Sequence, residues 1–289
     1  MIEIIFPSIP TILCLTSIGA FFGLMLSIVK LKLQIDRDPR FEKILNILPG
    51  ANCGACGQPG CSGYASKIVQ DKSMPINLCP VASIETIKNI ASIMGVTAEV
   101  QSPKVAVVNC QGDNESTKVS FLYDGPHSCS AAQLIRDGFK VCPNGCLGLG
   151  DCETSCPFNA IHIDTNGLPV IDIDKCTGCG KCIESCPRGI LSLLDKRINI
   201  HITCRNKEKA SILKKGCSVG CIACKRCIKA CKQVFTDNPD IETAIEIIDF
   251  LAVIDYEKCI DCGKCAEICP QGVIDFKKPL AENHYEVFR

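Results

Sequence analysis

Cysteine is the residue through which this sequence can do chemistry, at 25 of 289 positions. Cys176, Cys179, Cys182 and Cys186 follow the spacing CxxCxxCxxxC, with Pro187 next, and Cys259, Cys262, Cys265 and Cys269 repeat it before Pro270. Such short spacings let three thiolates of one loop converge on a concavity and grip three corners of an iron–sulfur cube. The fourth cysteine of each run serves the partner cluster in two-cluster ferredoxins. Structural zinc usually shows two CxxC knuckles separated by a longer loop, a different pattern.

A third run, Cys221, Cys224, Cys227 and Cys231, differs only in having Lys232 where the proline stands. Crossing the fourth ligands gives one [4Fe–4S] cluster on Cys221, Cys224, Cys227 and Cys269, and another on Cys259, Cys262, Cys265 and Cys231. By the same rule Cys176, Cys179 and Cys182 take Cys156. Their partner cluster has Cys146, Cys152 and Cys186 but meets Leu149 where a ligand should be. Cys142, four residues before Cys146, is the expected substitute. Cys110, Cys129, Cys204 and Cys217 are left over. They would either complete a sixth cluster or stay as buried thiols, since cysteine packs well as a small hydrophobe. Cys53, Cys56, Cys61 and Cys79 form an independent set, where Gly54, Gly57 and Gly60 let backbone N–H groups approach an anionic cluster. The expectation is therefore five [4Fe–4S] clusters, or six.

These cysteines need elements to hold them. With no tryptophan and 5% aromatics, the chain cannot build one large core, and small domains of that kind rely on disulfides, metals or oligomerisation. No charge interrupts Ile4–Val29, and residues 9–29 as a helix would span about 32 Å, matching a bilayer core. Pro7 and Pro10 suit a first helical turn. Lys30, Lys32, Arg37 and Arg40 follow while only Glu3 precedes, so the positive-inside rule puts the bulk of the chain in the cytoplasm. A cleavable signal peptide fits less well, for want of a basic start and a small-residue cleavage site. Cys14 reads as an inert thiol in this helix. Reducing cytoplasm disfavours disulfides, which leaves metal as the staple.

Further along, Phe41–Leu48, Ser62–Asp71 and Val81–Met94 read as helices around the first cysteine set, the last stopped by Gly95. Lys104–Asn109 reads as a strand. Val105–Cys156 and Ile198–Cys231 then form an internal repeat. In it Cys110 aligns with Cys204, Cys142 with Cys217, and Cys146, Cys152 and Cys156 with Cys221, Cys227 and Cys231. Leu149 aligns with Cys224. The fold class is α+β: a transmembrane anchor (1–32), a small α-helical [4Fe–4S] domain (33–98), and two tandem bacterial-ferredoxin-like domains (99–197, with an N-terminal extension, and 198–289, with a tail).

The glycines of Gly145–Gly150 are spaced GxxGxG on a ligand loop and are not a dinucleotide fingerprint. His127, His162, His201 and His284 show no ligand spacing and read as ordinary surface or turn residues. Formal net charge is zero, which gives no global argument for nucleic acid. No acid, base or nucleophile is needed, so no catalytic residue is assigned. One local asymmetry stands out. Arg205, Lys207, Lys209, Lys214, Lys215, Lys225, Arg226, Lys229 and Lys232 face a single acid, Glu208, in the same stretch. It suits either a docking surface for an acidic ferredoxin or local compensation of anionic clusters.

The uncharged N-terminal helix, the block NCGACGQPGCSGYA (Asn52–Ala65) with Cys79, and the tandem runs resemble RnfB, the iron–sulfur subunit of the Rnf complex. CPNGCLGLGDCETSCPFNAI (Cys142–Ile161) resembles the longer forms of that subunit found in anaerobic bacteria. The resemblance covers nearly the whole chain, apart from a tail after about Phe276. The N-terminal block alone is less specific, since some corrinoid iron–sulfur proteins carry it. The resemblance implies an ion-translocating ferredoxin:NAD⁺ oxidoreductase at the cytoplasmic membrane. In it this subunit accepts electrons from reduced soluble ferredoxin and passes them to membrane subunits, with flavin and NAD held by other subunits. The competing readings are an electron-transfer subunit of another membrane oxidoreductase, such as a hydrogenase-linked complex, and a structural zinc or metal-storage protein.

Overall fold

The computed structural model describes residues 8–32, 38–98, 102–234 and 243–276. Glu3, Pro7, Arg37, His284 and the tail lie outside them. Helix α1 (Ser8–Lys32) runs for 25 residues. Its described side chains, residues 13–29, are all exposed, among them Leu15, Phe21, Phe22, Leu24 and Leu26. Among the described residues no helix is long and apolar enough to cross a membrane.

Three helices follow: α2 (Pro39–Ile47), α3 (Gly60–Gln70) and α4 (Ile84–Met94). Caps supplied by the sequence bound two of them. Asp38 accepts the Arg40 N–H before α2, and Ser83 accepts the Thr86 N–H at 3.1 Å before α4. Gly95, at φ +67°, closes α4 in the left-handed conformation. Phe41, Ile44, Tyr64, Ile68, Ile87 and Ile90 form the shared core, joined by Cys79 and flanked by Cys56 and Cys61.

The remainder is mixed α/β, built twice on one plan. In the first copy β1 (Lys104–Val108) pairs antiparallel with β4 (Leu191–Asp195), Val105 opposite Leu194. Between them run α5 (Cys129–Gln133), α6 (Asp151–Thr154), the pair β2 (Ile161–Ile163) and β3 (Pro169–Ile171), and α7 (Lys181–Ser185). In the second copy β5 (Ile200–Ile202) pairs with β8 (Ile274–Phe276). They enclose α8 (Ala210–Gly216), α9 (Arg226–Val234), the hairpin β6 (Ile245–Ile248) and β7 (Leu251–Ile254), and α10 (Lys264–Glu267). Each sheet has only two strands, too few to be stable alone. Cysteines fill out the core instead: Cys204, Cys221, Cys227, Cys231 and Cys265 pack with Ile200, Ile245 and Ile274.

The two copies are stitched together. Lys118 N–H donates to Gly216 O at 2.8 Å, and Ser218 N–H to Ser116 O at 2.9 Å. The Gln111 side chain donates to Val219 O (2.7 Å) and Gln271 O (2.8 Å).

In the helical module Ile90 has no exposed surface. Replacing it with alanine should cost about 2–5 kcal/mol. Amide exchange should register this as a ~30-fold or larger fall in protection across α4, with α9 unaffected.

Candidate functional site

The cysteines gather in groups of four. In the helical module burial raises the Cys79 thiol, and nearby Cys56 and Cys53 add to the shift. Cys53 sits in a tight loop: Asn52 Oδ1 accepts the Cys61 N–H at 2.9 Å, and a Cβ on Gly60 (φ +81°) would meet that oxygen at 2.8 Å. Glycine is required there.

In the first copy Cys182 is pushed up to about 11 by burial, with Cys176, Cys179 and Cys156 beside it. The CTGC loop lies against β1. Ala106 N–H donates to Cys176 Sγ at 3.4 Å, and a Cβ on Gly178 (φ +68°) would strike the Lys104 carbonyl. In the second copy Cys227 is raised to about 11 by burial, beside Cys221, Cys224 and Cys269. Cys265 is raised to about 12 by burial, beside Cys259, Cys262 and Cys231. Cys156, Cys231 and Cys269 thus each stand with the other run's three, as crossing requires.

The remaining eight cysteines divide differently from the expectation. One pocket is lined by Cys129, Cys146, Cys152 and Cys186. Another is lined by Cys110, Cys142, Cys204 and Cys217. Cys142 thus lines the second pocket and Cys129 the first, the reverse of the places expected from the sequence. The physical reason is Asp151. Its carboxylate accepts the N–H groups of Cys129 and Ser130, both at 2.8 Å, and the Ser130 and Ser128 hydroxyls at 2.7 and 3.1 Å. These bonds pin the start of α5 beside Cys152. Burial raises the Asp151 carboxyl, but the bonds from Ser130, Cys129 and Ser128 outweigh it and hold the group below its ordinary value. Cys129 thereby fills the corner that Leu149 leaves empty. Burial lifts Cys152 to about 12, with Cys129 and Cys186 close by.

Three of these foursomes line pockets, and Cys14 lies on α1. The groups adjoin one another. Cys53 lies beside Cys179, with Lys181 near both. Cys182 neighbours Cys152. Cys146 N–H donates to Cys110 Sγ at 3.4 Å, and Cys221 N–H to Cys204 Sγ at 3.3 Å. Cys227 and Cys231, one turn apart on α9, belong to the last two groups.

The setting fits iron–sulfur cubes. Three pockets lined by four cysteines each contain about 300–380 Å³ of unfilled space, counting the part open to solvent. Among the described residues no three His, Cys, Asp or Glu side chains are close enough to share a single metal ion. Backbone N–H groups point at further sulfurs, from Ala160 to Cys156 and from Ile190 to Cys186, both at 3.4 Å. Such bonds favour the anionic thiolate and tune cluster potential.

Two cations missed in the sequence reading lie here. Lys140 is only 3% exposed, and its Nζ donates to Gly112 O at 3.3 Å. Arg188 donates to the carbonyls of Cys142 (2.6 Å) and Gly145 (3.0 Å) and to Asp137 O. Lys140 stands two residues before Cys142, a signal the sequence offered. The described histidines line none of the cysteine pockets. His127 and His162 are exposed, whereas His201, expected at the surface, is buried in β5 near Asp275. Gly148 and Gly150 line a cysteine pocket, consistent with a ligand loop.

Asp151→Ala should release the Cys129 loop and lower the iron content by about four atoms per chain. Asp151→Asn keeps one acceptor oxygen and should retain more of that iron. Metal analysis of the two variants against the parent checks this.

Comparison with known proteins places iron–sulfur segments along the chain. Residues 48–81 match a family described as an Fe-S cluster, residues 168–191 a 4Fe-4S binding domain, and residues 220–274 a 4Fe-4S dicluster domain. The chain thus carries multiple iron–sulfur clusters. It is 38% identical to the B component of the ion-translocating oxidoreductase complex of Methanosarcina acetivorans, over 93% of this chain and 98% of that protein. It is 40% identical to the B component of the Na⁺-translocating ferredoxin:NAD⁺ oxidoreductase complex of Acetobacterium woodii, over 89% of this chain and 74% of that one. The proton-translocating counterpart of Clostridium ljungdahlii is 38% identical over 90% of this chain and 89% of its own. Identity at this level over nearly the full length shows that the chain belongs to the RnfB family, the iron–sulfur electron-transfer subunits of Rnf-type ion-translocating oxidoreductase complexes.

Proposed function

We propose that this chain takes electrons from reduced soluble ferredoxin and relays them to the flavin- and NAD-carrying membrane and peripheral subunits of an ion-translocating ferredoxin:NAD⁺ oxidoreductase. The observation that carries the reading is the unbroken adjacency of cysteine groups from Cys53 to Cys259. The proposed ligand sets are Cys53, Cys56, Cys61 and Cys79; Cys156, Cys176, Cys179 and Cys182; Cys129, Cys146, Cys152 and Cys186; Cys221, Cys224, Cys227 and Cys269; and Cys231, Cys259, Cys262 and Cys265. Bound there, [4Fe–4S] clusters supply one-electron redox chemistry. The protein's own residues hold them within reach of each other, aim N–H groups at their sulfurs and keep water from most of them.

We propose domain limits at 1–32, 33–98, 99–197 and 198–289, a division that the separate cores support. The first segment is proposed as a single-pass anchor in the cytoplasmic membrane. The sequence run Ile4–Val29 carries no charge and has the length a hydrocarbon core requires, which supports this reading. The exposed apolar side chains of α1 and the Lys30 and Lys32 that end it support a cytoplasmic location for the rest.

The donor's docking surface is assigned to the loop and helix around Cys224. That cysteine is exposed, and so are Lys225, Arg226, Lys229 and Lys232 around it. Lys207 and Lys209 are partly engaged elsewhere, by Asp249 at 3.1 Å and by the Phe250 ring. An acidic electron carrier would be steered to this patch.

Reversing Lys225, Arg226 and Lys229 to glutamate should slow ferredoxin-dependent reduction by about 10-fold or more at low salt, and flatten its dependence on ionic strength. Reduction by a small uncharged donor should be unchanged. Stopped-flow absorbance over a salt series reads both. A variant with the parent's rate and salt slope would remove the docking assignment.

A further inference from the structure

We propose that the Thr177 hydroxyl donates a hydrogen bond to a sulfur of the cluster assigned to Cys156, Cys176, Cys179 and Cys182, and that this bond raises the cluster's reduction potential. The inference rests on the relay reading and on that ligand set. It adds the residue that tunes one station of the relay.

The first observation is an orphaned oxygen. Thr177 Oγ1 is shielded from solvent and has no hydrogen-bond partner, the one such side-chain oxygen or nitrogen among the described residues. Burying a hydroxyl without a partner is costly, and folded proteins seldom leave one so. Valine has nearly the same shape without that cost, so the oxygen needs a use. Cys179 is the thiol it approaches. Burial raises that thiol; the Lys181 N–H eases its ionisation, Cys53 opposes it, and the Thr177 hydroxyl eases it again. The hydroxyl therefore lies among ligand sulfurs without a bond of ordinary geometry to any of them. An iron–sulfur cube has sulfide corners beside its thiolates, and these are acceptors of the kind the hydroxyl lacks.

The repeat supplies a comparison within the same chain. The loop Cys176–Cys179 has three counterparts, at Cys146–Leu149, Cys221–Cys224 and Cys259–Cys262. The residue after their first cysteine is Leu147, Ile222 or Ile260. All three are apolar, and burial does not set the choice, because Leu147 is 4% exposed and Ile260 51%. Packing of such a loop thus does not demand threonine. This loop is also held in place. It is pressed on β1, where a Cβ on Gly178 would strike the Lys104 carbonyl and Ala106 N–H donates to Cys176 Sγ at 3.4 Å.

The sign of the effect follows from charge. A cube on four thiolates is anionic and becomes more so on reduction, and a donor hydrogen bond favours the more negative state. Thr177 keeps its proton; the one electron that ferredoxin supplies in the relay reading is all that moves. Lys181 also lies near Cys53 and Cys179, but its ammonium is paired with Glu184 at 2.8 Å. The hydroxyl has no such rival. Because this group adjoins the helical module through Cys53 and Cys179, Thr177 biases where an electron rests at that border.

Thr177→Val and Thr177→Ser decide the matter in the full-length chain, purified anaerobically and titrated electrochemically with EPR detection. Both should keep the parent's iron content. Valine should lower one midpoint by the equivalent of about tenfold in the one-electron equilibrium, ~59 mV, and serine should hold it near the parent's value. If the valine variant is not recovered folded, Thr177→Ala reads the same midpoint. Unchanged midpoints in the valine or alanine variant would overturn the inference and leave the relay reading standing. So would a serine variant shifted as far as valine, because the hydroxyl would then not be responsible. Loss of about four irons in both the valine and alanine variants also overturns it, since Thr177 would be holding the site together and not tuning it. A parent chain without iron would sink the relay reading as well.

Discussion

Thiolates gathered in fours repel one another, and burial penalises each of them further; the structure depends on relieving that conflict. In the protein alone it appears as thiols held well above their ordinary range, Cys152 and Cys265 to about 12 and Cys227 to about 11, by burial first and neighbouring cysteines second. Iron reverses the sign of the problem, because a coordinated thiol is deprotonated outright. Folding and metal uptake are then one process. The same cysteines are core residues, packed with Ile200, Ile245 and Ile274 in one unit and with Ala106, Ile161 and Leu191 in the other. Two-stranded sheets and helices of four to nine residues could not hold those units together without what fills the gaps.

Much of this was legible in the sequence because it is local. The helix expected at Phe41–Leu48 runs Pro39–Ile47, and those expected at Ser62–Asp71 and Val81–Met94 run Gly60–Gln70 and Ile84–Met94. Their caps and apolar spacing lie within a few residues. The nearness of Cys156, Cys231 and Cys269 to the other runs was expected for a similar reason: the spacing of each run fixes which three share a loop. Cys129 and Cys142 were not legible in this way. Nearness along the chain favoured Cys142 as the neighbour of Cys146, whereas Asp151 draws in Cys129 from 22 residues upstream. The corrective signal was present in the repeat, which pairs Cys142 with Cys217 and not with any member of the Cys146 group. Arg188 was missed because nothing in a residue's type announces where a cation's side chain will turn, and Lys140 because only its nearness to Cys142 hinted at burial.

The two copies also differ in how open they are. In the second copy the corner cysteine is Cys224, exposed on a loop whose neighbours Ala223 and Lys225 adopt positive φ. In the first copy that corner is Leu149, and Cys129 arrives on an inserted segment, half-buried and tied down by Asp151. One site therefore faces solvent among exposed lysines while its equivalent is enclosed. Solvent exposure and nearby charge are levers on cluster potential, so two sites of common origin are placed in different environments. The open site lies in the copy far from the Cys53 group, and the enclosed one lies between it and the helical module. Duplication supplied the repeated geometry. The insertion that carries Cys129 made one end suited to exchange with a mobile partner and the middle suited to transit, since a buried group loses no electrons to solvent species it cannot meet.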